Sequence, residues 1–437
     1  MFDSNHMSVN AKNHLVVGGC DTISLAEKHG TPLYVLDEEI LRENCRNYKE
    51  SLQTHFGVGN LLYAGKALCN TAVLQIIKQE GLGLDVVSGG ELYTAKNAGF
   101  PMQNVYFHGN NKTKEELSLA LSLDVGHFVV DNDAELMRLN LLARDMGKTA
   151  SVLLRIKPGV DAHTHDYIRT GQIDSKFGYG LETGEALEAV ELAIGMNHID
   201  FCGLHCHIGS QIFETEPYCE AARLMMRFIY ELENVYHITV QQLNLGGGFG
   251  IAYTKEDDPL PFEEFCKVIS EALNEEAHRL GMDFPYILME PGRSIVAPAG
   301  TTLYTVGSVK EIPGVRTYVA VDGGMADNPR YSLYGAKYDF TCAGCAGDEK
   351  TKTVTIAGKC CESGDLLGEH VALQPVMAGD ILAVADTGAY NYSMASHYNR
   401  IPNAAMVLVK NGTDRVIVKR EQFEDVVRND VFLEEDA

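Results

Sequence analysis

The sequence predicts an α/β protein in which a (β/α)8 TIM barrel is followed by a smaller all-β domain. Eight short apolar segments alternate with helical segments up to about residue 295, and from there Val-, Thr- and Tyr-rich segments alternate with Gly, Pro and Asp turns. A chain of 437 residues with 45% hydrophobic residues can form more than one core. We therefore expect an N-terminal segment 1–36 that joins the β domain, a barrel over 37–295 and a C-terminal β domain over 296–437.

The predicted elements follow from apolar runs and from residues that begin or end helices. Asp37, Ser88–Glu91 and Thr113–Glu116 have the form of helix N-caps and capping boxes. The eight predicted barrel strands are 60–66, 84–87, 105–107, 127–130, 151–156, 200–208, 242–245 and 286–289. The predicted strands of the β domain are 33–36, 302–309, 317–321, 353–357, 381–385, 404–409 and 415–418.

Charge and composition exclude several classes of function. The net charge of −24 argues against nucleic acid or an anionic membrane surface as a partner. The sequence has no apolar run long enough to span a bilayer and no signal-peptide core, and its eleven cysteines are an odd number. These features predict reduced thiols and a cytoplasmic protein, with Cys342 and Cys345 as two free loop thiols rather than half of a metal site.

Polar residues follow four of the predicted barrel strands. Lys66 ends the first strand, His205 and His207 end the sixth, Gly246–Gly250 follows the seventh, and Glu290–Arg293 follows the eighth. Strands six, seven, eight and one are neighbours in a closed barrel, and barrel active sites lie at the carboxyl ends of the strands. We therefore expect these residues to line one arc of a single site, with the glycine run as a phosphate-binding loop.

A lysine, a phosphate loop and a carboxylate together point to pyridoxal phosphate as the cofactor. Lys66 would bind the cofactor aldehyde covalently, Glu290 would keep the pyridine nitrogen protonated, and a histidine would stack on the ring. His205 and His207 alternate along a strand and share a face. The residues alone leave open which of them stacks, or whether both bind a metal.

Seven short motifs in the sequence together resemble those of a known enzyme family. They are Tyr63-Ala-Gly-Lys66-Ala, Asp174-Ser-Lys176-Phe-Gly178, His207-Ile-Gly-Ser210, Gly246-Gly-Gly248, Glu290-Pro-Gly-Arg293, Cys361-Glu-Ser-Gly-Asp365 and Gly388-Ala-Tyr390. In order and spacing the sequence resembles the diaminopimelate decarboxylase family, fold-type III pyridoxal phosphate enzymes related to ornithine and arginine decarboxylases. The resemblance runs from about residue 15 to 425 and implies the alanine racemase-like combination of barrel and β domain.

The resemblance also implies roles for individual residues. Those implied to bind the cofactor are Lys66, His207, Ser210, Gly246, Gly247, Gly248, Glu290, Gly292, Arg293 and Tyr390. Those implied to bind substrate are Arg293, Arg330, Tyr334, Glu362 and Tyr390. Lys66, His207 and Cys361 are implied to be catalytic, with Cys361 as the general acid, and His205 receives no role.

The implied reaction is the decarboxylation of meso-2,6-diaminopimelate to L-lysine and carbon dioxide, the last step of lysine biosynthesis. Arg293, Arg330 and Tyr334 suit the distal carboxylate of such a substrate. The family's Cys361–Glu362 loop reaches the site of the other subunit, so a homodimer with shared active sites is implied, and no metal is expected.

Three alternatives compete with this interpretation. The first is a related decarboxylase that acts on carboxynorspermidine or a basic amino acid. The second is a metal-dependent barrel hydrolase with His163, His165, His205 and His207 as ligands. The third is a regulatory or binding protein without catalysis, which the presence of both Lys66 and Cys361 disfavours.

Overall fold

The computed structural model describes residues 7–160 and 175–433, which form two compact units. The barrel unit contains the described residues of Arg42–Ala252 together with Asp257–Ile295. The β unit contains the described residues up to Leu41, then Tyr253–Glu256, and the described residues from Val296 onward.

The described strands are numbered β1 to β21 along the chain. They are β1 Met7–Val9, β2 Leu15–Val17, β3 Cys20–Asp21, β4 Leu33–Asp37, β5 Gly59–Ala64, β6 Gly83–Val86, β7 Val105–Phe107, β8 His127–Val130, β9 Ala150–Lys157, β10 Tyr179–Gly180, β11 Ile199–Cys206, β12 Gln242–Asn244, β13 Tyr286–Met289, β14 Gly300–Ile312, β15 Arg316–Val321, β16 Phe340–Cys342, β17 Lys352–Ala357, β18 Leu366–Leu373, β19 Ile381–Val384, β20 Ala405–Lys410 and β21 Thr413–Val418.

The described α-helices are numbered in the same way. They are α1 Thr22–His29, α2 Glu38–Phe56, α3 Thr71–Gln79, α4 Gly89–Asn97, α5 Lys114–Ser122, α6 Asp133–Asp145, α7 Glu185–Ile194, α8 Glu216–Asn234, α9 Phe262–Leu280, α10 Arg293–Val296, α11 Arg330–Tyr334 and α12 Phe423–Val427. None of the helices described here is both long and apolar enough to cross a membrane.

Eight parallel strands close the barrel in the order β5, β6, β7, β8, β9, β11, β12 and β13, and β13 pairs with β5. All eight lie within two residues of the strands that the apolar runs predict. The predicted caps are also present, since Asp37 accepts from the amides of Glu39 and Ile40, and Thr113 and Glu116 form a reciprocal capping box. The (β/α)8 barrel prediction is confirmed.

An interior apolar layer fills the barrel. One side chain from each of six strands packs in it, and these are Leu62, Tyr106, Val129, Leu153, Cys202 and Leu288. Because side chains alternate between the two faces of a strand, residues two positions further along most of these strands also point inward. Among those positions are the polar residues His108, Arg155 and Glu290.

The β unit contains a three-stranded antiparallel sheet, β1–β3, and a nine-stranded sheet. The larger sheet follows the order β18-β17-β15-β14-β4-β20-β21, and off this path β19 pairs with β14 and β16 pairs with β19. The prediction of a separate all-β region is confirmed, although β16, β18 and the N-terminal sheet were not predicted. In the larger sheet β4 is central, antiparallel to β14 and parallel to β20.

Candidate active site

Lys66 is the second residue after the end of β5, in a short 3-10 turn over Gly65–Ala67. The two residues that flank it are buried, whereas Lys66 itself is exposed. The tight turn therefore presents the amine at the carboxyl end of the barrel, while the apolar strand before it anchors the backbone.

The segment after β13 packs directly against the end of β5. The carbonyl of Pro291 accepts a hydrogen bond of 3.1 Å from the Ala64 amide. A Cβ atom at Gly292 would lie 2.8 Å from the Cβ of Ala64, so only glycine allows this approach. The close packing places Glu290 and Lys66 on adjoining strand ends, as predicted.

The glycine loop after β12 joins the ends of β11 and β13. The amide of Gly246 donates to Asn244 Oδ1 at 2.9 Å, and the amide of Gly247 donates to His207 Nδ1 at 3.2 Å. A Cβ atom at Gly247 would lie 2.0 Å from the carbonyl oxygen of Glu290. The loop thus holds His207 as a hydrogen-bond acceptor at Nδ1, which requires an imidazole without a proton on that nitrogen.

His207 is held in its neutral form. Burial lowers its pKa well below the usual value, and the nearby cations Lys66 and Arg155 lower it further. A neutral, partly buried imidazole beside Lys66 suits a flat stacking surface for an aromatic cofactor.

Ser210 and Arg293 meet beside the glycine loop. The buried Arg293 donates from Nη2 to Ser210 Oγ at 2.9 Å. A hydroxyl, a guanidinium and a glycine loop are a donor set for a phosphate group.

The Glu290 carboxylate is the centre of a buried polar cluster. Asn244 Nδ2 donates to its Oε1 at 2.7 Å, and His108 Nε2 lies 2.8 Å from the same oxygen. His205 Nε2 lies 3.2 Å from Oε2, and the Nε2 of His108 also lies 3.7 Å from Asp85 Oδ1. His205, which the resemblance left without a role, is therefore a direct partner of Glu290.

The histidines keep Glu290 ionised. Burial raises the pKa of Glu290, but His108 and His205 lower it more, so that it lies well below the usual range. By contrast, burial raises the pKa of Asp85, and burial lowers the pKa of His205 to about 4. Negative charge is thus concentrated on Glu290, next to a neutral His205.

In the β unit, Arg330 is buried among aromatic side chains. Its guanidinium lies 4.8 Å from the ring centre of Tyr253, and Nη1 donates to Tyr338 Oη at 2.6 Å. Within residues 7–160 and 175–433, no carboxylate forms an ion pair with it. A buried cation surrounded by tyrosine rings and their phenol groups is suited to an anionic ligand.

Cys361 and Glu362 lie on an exposed loop that the buried Asp365 organises. The Asp365 carboxylate accepts from the amides of Cys360 and Met325, both at 2.6 Å. The Cys361 amide donates to Asn399 Oδ1 at 2.7 Å. The loop is therefore fixed at its base, while the thiol of Cys361 and the carboxylate of Glu362 face outward.

The two remaining predicted site residues also lie in the β unit. Tyr334 ends α11 and is half-exposed. Tyr390 has a φ of +61°, a left-handed conformation that non-glycine residues rarely adopt and that is common at functional sites.

The residues of the barrel end fit pyridoxal phosphate on the chemistry of the donor set. They offer an amine, a neutral imidazole, an ionised buried carboxylate and a hydroxyl–guanidinium pair beside a glycine loop. His108, His205 and Glu290 also have ligand atoms within 4.8 Å of one another, as a metal site would need. The hydrolase alternative grouped His205 with His207 instead, and its other ligands, His163 and His165, lie outside the described residues, as does Asp174 of the quoted motifs.

Comparisons with known proteins agree with this donor set. Residues 38–297 match the family model of the pyridoxal-dependent decarboxylase pyridoxal binding domain. A diaminopimelate decarboxylase of Bacillus subtilis (strain 168) is 52% identical over 97% of this chain and 96% of its own, and one of Bacillus methanolicus is 48% identical over 96% and 98%. The crystal structure of a diaminopimelate decarboxylase from M. jannaschii in complex with L-lysine matches with a TM-score of 0.90 and 36% identity over 99% of each chain.

The fold and the barrel-end site thus define a pyridoxal phosphate-dependent decarboxylase. The agreement over nearly the whole of both chains resolves the family further. The chain belongs to the diaminopimelate decarboxylases. This membership favours the predicted reaction over the metal hydrolase, the non-catalytic protein and the related decarboxylases of other substrates.

Proposed function

We propose that this protein removes carbon dioxide from meso-2,6-diaminopimelate to give L-lysine, with the residue roles set out below. The observation that carries the proposal is the convergence of Lys66, His207, Glu290 and the Ser210–Arg293 pair at one end of the barrel. When bound, pyridoxal phosphate supplies an electron sink for the electron pair left on the α-carbon.

In the barrel unit, Lys66 would hold the cofactor covalently through Nζ, and His207 would stack against its ring. Ser210, Arg293 and the Gly246–Gly248 loop, with Gly292 beside it, would hold the phosphate. Two of the loop amides already donate to Asn244 and His207, so the Ser210 hydroxyl and the Arg293 guanidinium carry much of this role. Glu290, kept ionised by its neighbours, would accept a hydrogen bond from the protonated pyridine nitrogen and so keep that nitrogen protonated.

In the β unit, Arg330 and Tyr334 would bind the distal carboxylate, and Glu362 the distal amino group. The absence of an ion-pair partner for Arg330 in the described part of the chain supports this role, since a substrate carboxylate would supply one. Cys361 would return a proton from Sγ to the α-carbon after carbon dioxide leaves, and its exposed position supports action at a partner's site. Tyr390 would contact cofactor and substrate.

A homodimer with shared sites follows from this assignment, because Cys361 and Glu362 would serve the partner's barrel. We also propose a cytoplasmic location. All eleven cysteines lie in the described ranges and are free thiols, as a reducing compartment would leave them.

The test is covalent capture of the cofactor on Lys66. Purified protein with added pyridoxal phosphate should show a visible absorbance band that borohydride removes, with the reduced label on Lys66 by peptide mapping. Lys66→Ala should lose both the label and lysine production from meso-diaminopimelate. Lys78→Ala, at an exposed lysine of the same unit, is the matched control and should keep both. A wild-type protein that takes up no label would contradict the proposal.

A further inference from the structure

Three side chains from three strands enclose the Glu290 carboxylate, and we call His108, His205 and Asn244 the carboxylate clamp. Asn244 ends β12, His205 lies in β11, and His108 is the first residue after β7. All three are buried, with exposed fractions of 4% for His108, 1% for His205 and 0% for Asn244. Both oxygens of Glu290 therefore have protein partners, and the carboxylate has one defined orientation.

The proton arrangement of the clamp follows from burial. The Nδ1 of His205 is buried and has no hydrogen-bond partner among the described residues. Since its Nε2 faces an ionised carboxylate at 3.2 Å, the neutral tautomer that carries its proton on Nε2 satisfies the contact. His205 is thus a neutral donor rather than a second titrating group.

The charges around the clamp support the same arrangement. Asp85 lies 3.7 Å from His108, and burial together with the negative charge of Glu290 raises the pKa of Asp85, against the opposite effect of His108, Lys66 and Arg155. Arg155 and Glu290 also influence His205. With Asp85 disfavoured as a carboxylate, the clamp places the negative charge of this layer on Glu290.

We propose that His108 and His205 are positioning residues that make the site selective for the protonated ring nitrogen of the cofactor. They act through Glu290, whose carboxylate they hold in place and in its charged form. This inference rests on the proposed function, in which Glu290 faces that nitrogen. Without the two imidazoles beside its carboxylate, Glu290 would reorient or take up a proton, and it would lose its preference for a positively charged partner.

The test compares the affinity of the apoprotein for pyridoxal phosphate with that for 1-deazapyridoxal phosphate, in which a carbon replaces the ring nitrogen. The two compounds share the aldehyde and the phosphate. The dissociation constant of 1-deazapyridoxal phosphate divided by that of pyridoxal phosphate therefore isolates the contact at the nitrogen, and we call this quotient the ratio. A variant that only loosens the packing of the barrel weakens the binding of both compounds equally and leaves the ratio unchanged.

Four variants give the comparison. His108→Leu and His205→Leu each remove an imidazole whose Nε2 lies within 3.2 Å of the Glu290 carboxylate, and each should reduce the ratio about tenfold, equivalent to about 1.4 kcal/mol, as expected for a polar contact with a charged group. His205→Gln keeps an amide near the Nε2 position and should restore the ratio. His127→Leu removes another partly buried barrel histidine, which stacks on Tyr106 and does not contact Glu290, and should leave it unchanged.

His205→Asn covers the case in which a leucine variant does not fold. Its amide is too short to reach Glu290, so the ratio should fall although polarity is kept. Unchanged ratios in the folded His108 and His205 variants would overturn the inference while leaving the proposed function intact. If wild-type protein binds neither compound, the proposed function itself fails.

Discussion

At the scale of single residues, Arg330 is a cation whose burial costs free energy unless an anion pairs with it. In the parts of the chain that the structure describes, its partners are the rings and phenol groups of Tyr253 and Tyr338. Tyr338 is itself oriented by Asn391 at 3.3 Å. The aromatic surround thus fixes the direction of the guanidinium before any substrate arrives.

Arg330→Lys should therefore raise the KM for meso-diaminopimelate by about 10- to 100-fold, with a smaller effect on kcat, because an ammonium cannot replace a planar two-point donor. Steady-state kinetics with saturating pyridoxal phosphate gives both constants. Arg316→Lys is the matched control, because Arg316 is a partly exposed arginine of the β unit that forms an ion pair with Glu369. An unaltered KM for Arg330→Lys would remove this residue from the substrate site.

The sequence does not identify site residues whose role rests on a contact with a side chain from another strand. Glu290, Lys66 and the glycine loop were found because each directly follows an apolar run. His108 also follows a predicted strand by one residue, and that position was the available signal. Its contact with Glu290 depends on the alternation of side chains in two strands far apart in the chain, which no local pattern encodes.

At the scale of elements, the loop that carries Cys361 depends on one buried carboxylate. Asp365 bonds the amides of Cys360 and Met325 through different oxygens, and its own carbonyl accepts from Gly358. A Cβ atom at Gly358 would lie 2.2 Å from Asp365 Oδ2, so the loop closes tightly around this group. Loss of either acceptor leaves a backbone donor unpaired.

Asp365→Asn should slow turnover by about tenfold while leaving cofactor affinity unchanged, because an amide replaces one acceptor with a donor and frees the loop. The rate of alkylation of the exposed Cys361 thiol should change as well, and mass spectrometry of the labelled peptide reports it. Asp380→Asn is the control, because the partly exposed Asp380 likewise accepts a hydrogen bond from a backbone amide, that of Met377, at a turn. Normal turnover together with normal alkylation would show that the loop does not need Asp365.

The sequence predicts strands correctly where apolar residues form a continuous run, and it does not predict strands whose alternation of apolar and polar residues is interrupted. The barrel strands are nearly continuous apolar runs, and their bounds agree closely. β18 was missed because Gly368, Glu369 and His370 interrupt its alternation, and irregular pairing with β17 accommodates them. The strands β1–β3 are two or three residues long, and their pairing with one another defines them more than their composition does.

At the scale of the whole molecule, we propose the division into segment 1–36, barrel 37–295 and β domain 296–437. The pairing of β4 with β14 and β20 supports the association of the N-terminal segment with the C-terminal β domain. The change in sequence pattern near residue 296 predicts that a β domain begins there, but it does not predict which strands pair. The register of the N-terminal segment is set by β4, which lies between β14 and β20.

The proposed shared site gives a test that needs both chains of a dimer. Lys66→Ala lacks the cofactor lysine, and Cys361→Ala lacks the proposed acid, which should reduce turnover about 10²- to 10⁴-fold. If Cys361 serves the partner's barrel, a mixed dimer has one site with both residues intact and one with neither. Random exchange of subunits makes half of the dimers mixed, so about a quarter of wild-type activity should return after mixing and dilution from mild denaturant.

The arithmetic distinguishes this arrangement from a site built within one chain. In that case every site in the mixture lacks either Lys66 or Cys361, and activity stays at the level of the separate variants. The control mixes Lys66→Ala with the double variant Lys66→Ala/Cys361→Ala, which contains no intact lysine and should recover nothing. Because Lys66 and Cys361 act on the same α-carbon in the proposed reaction, recovery above this control requires that two chains jointly complete one site.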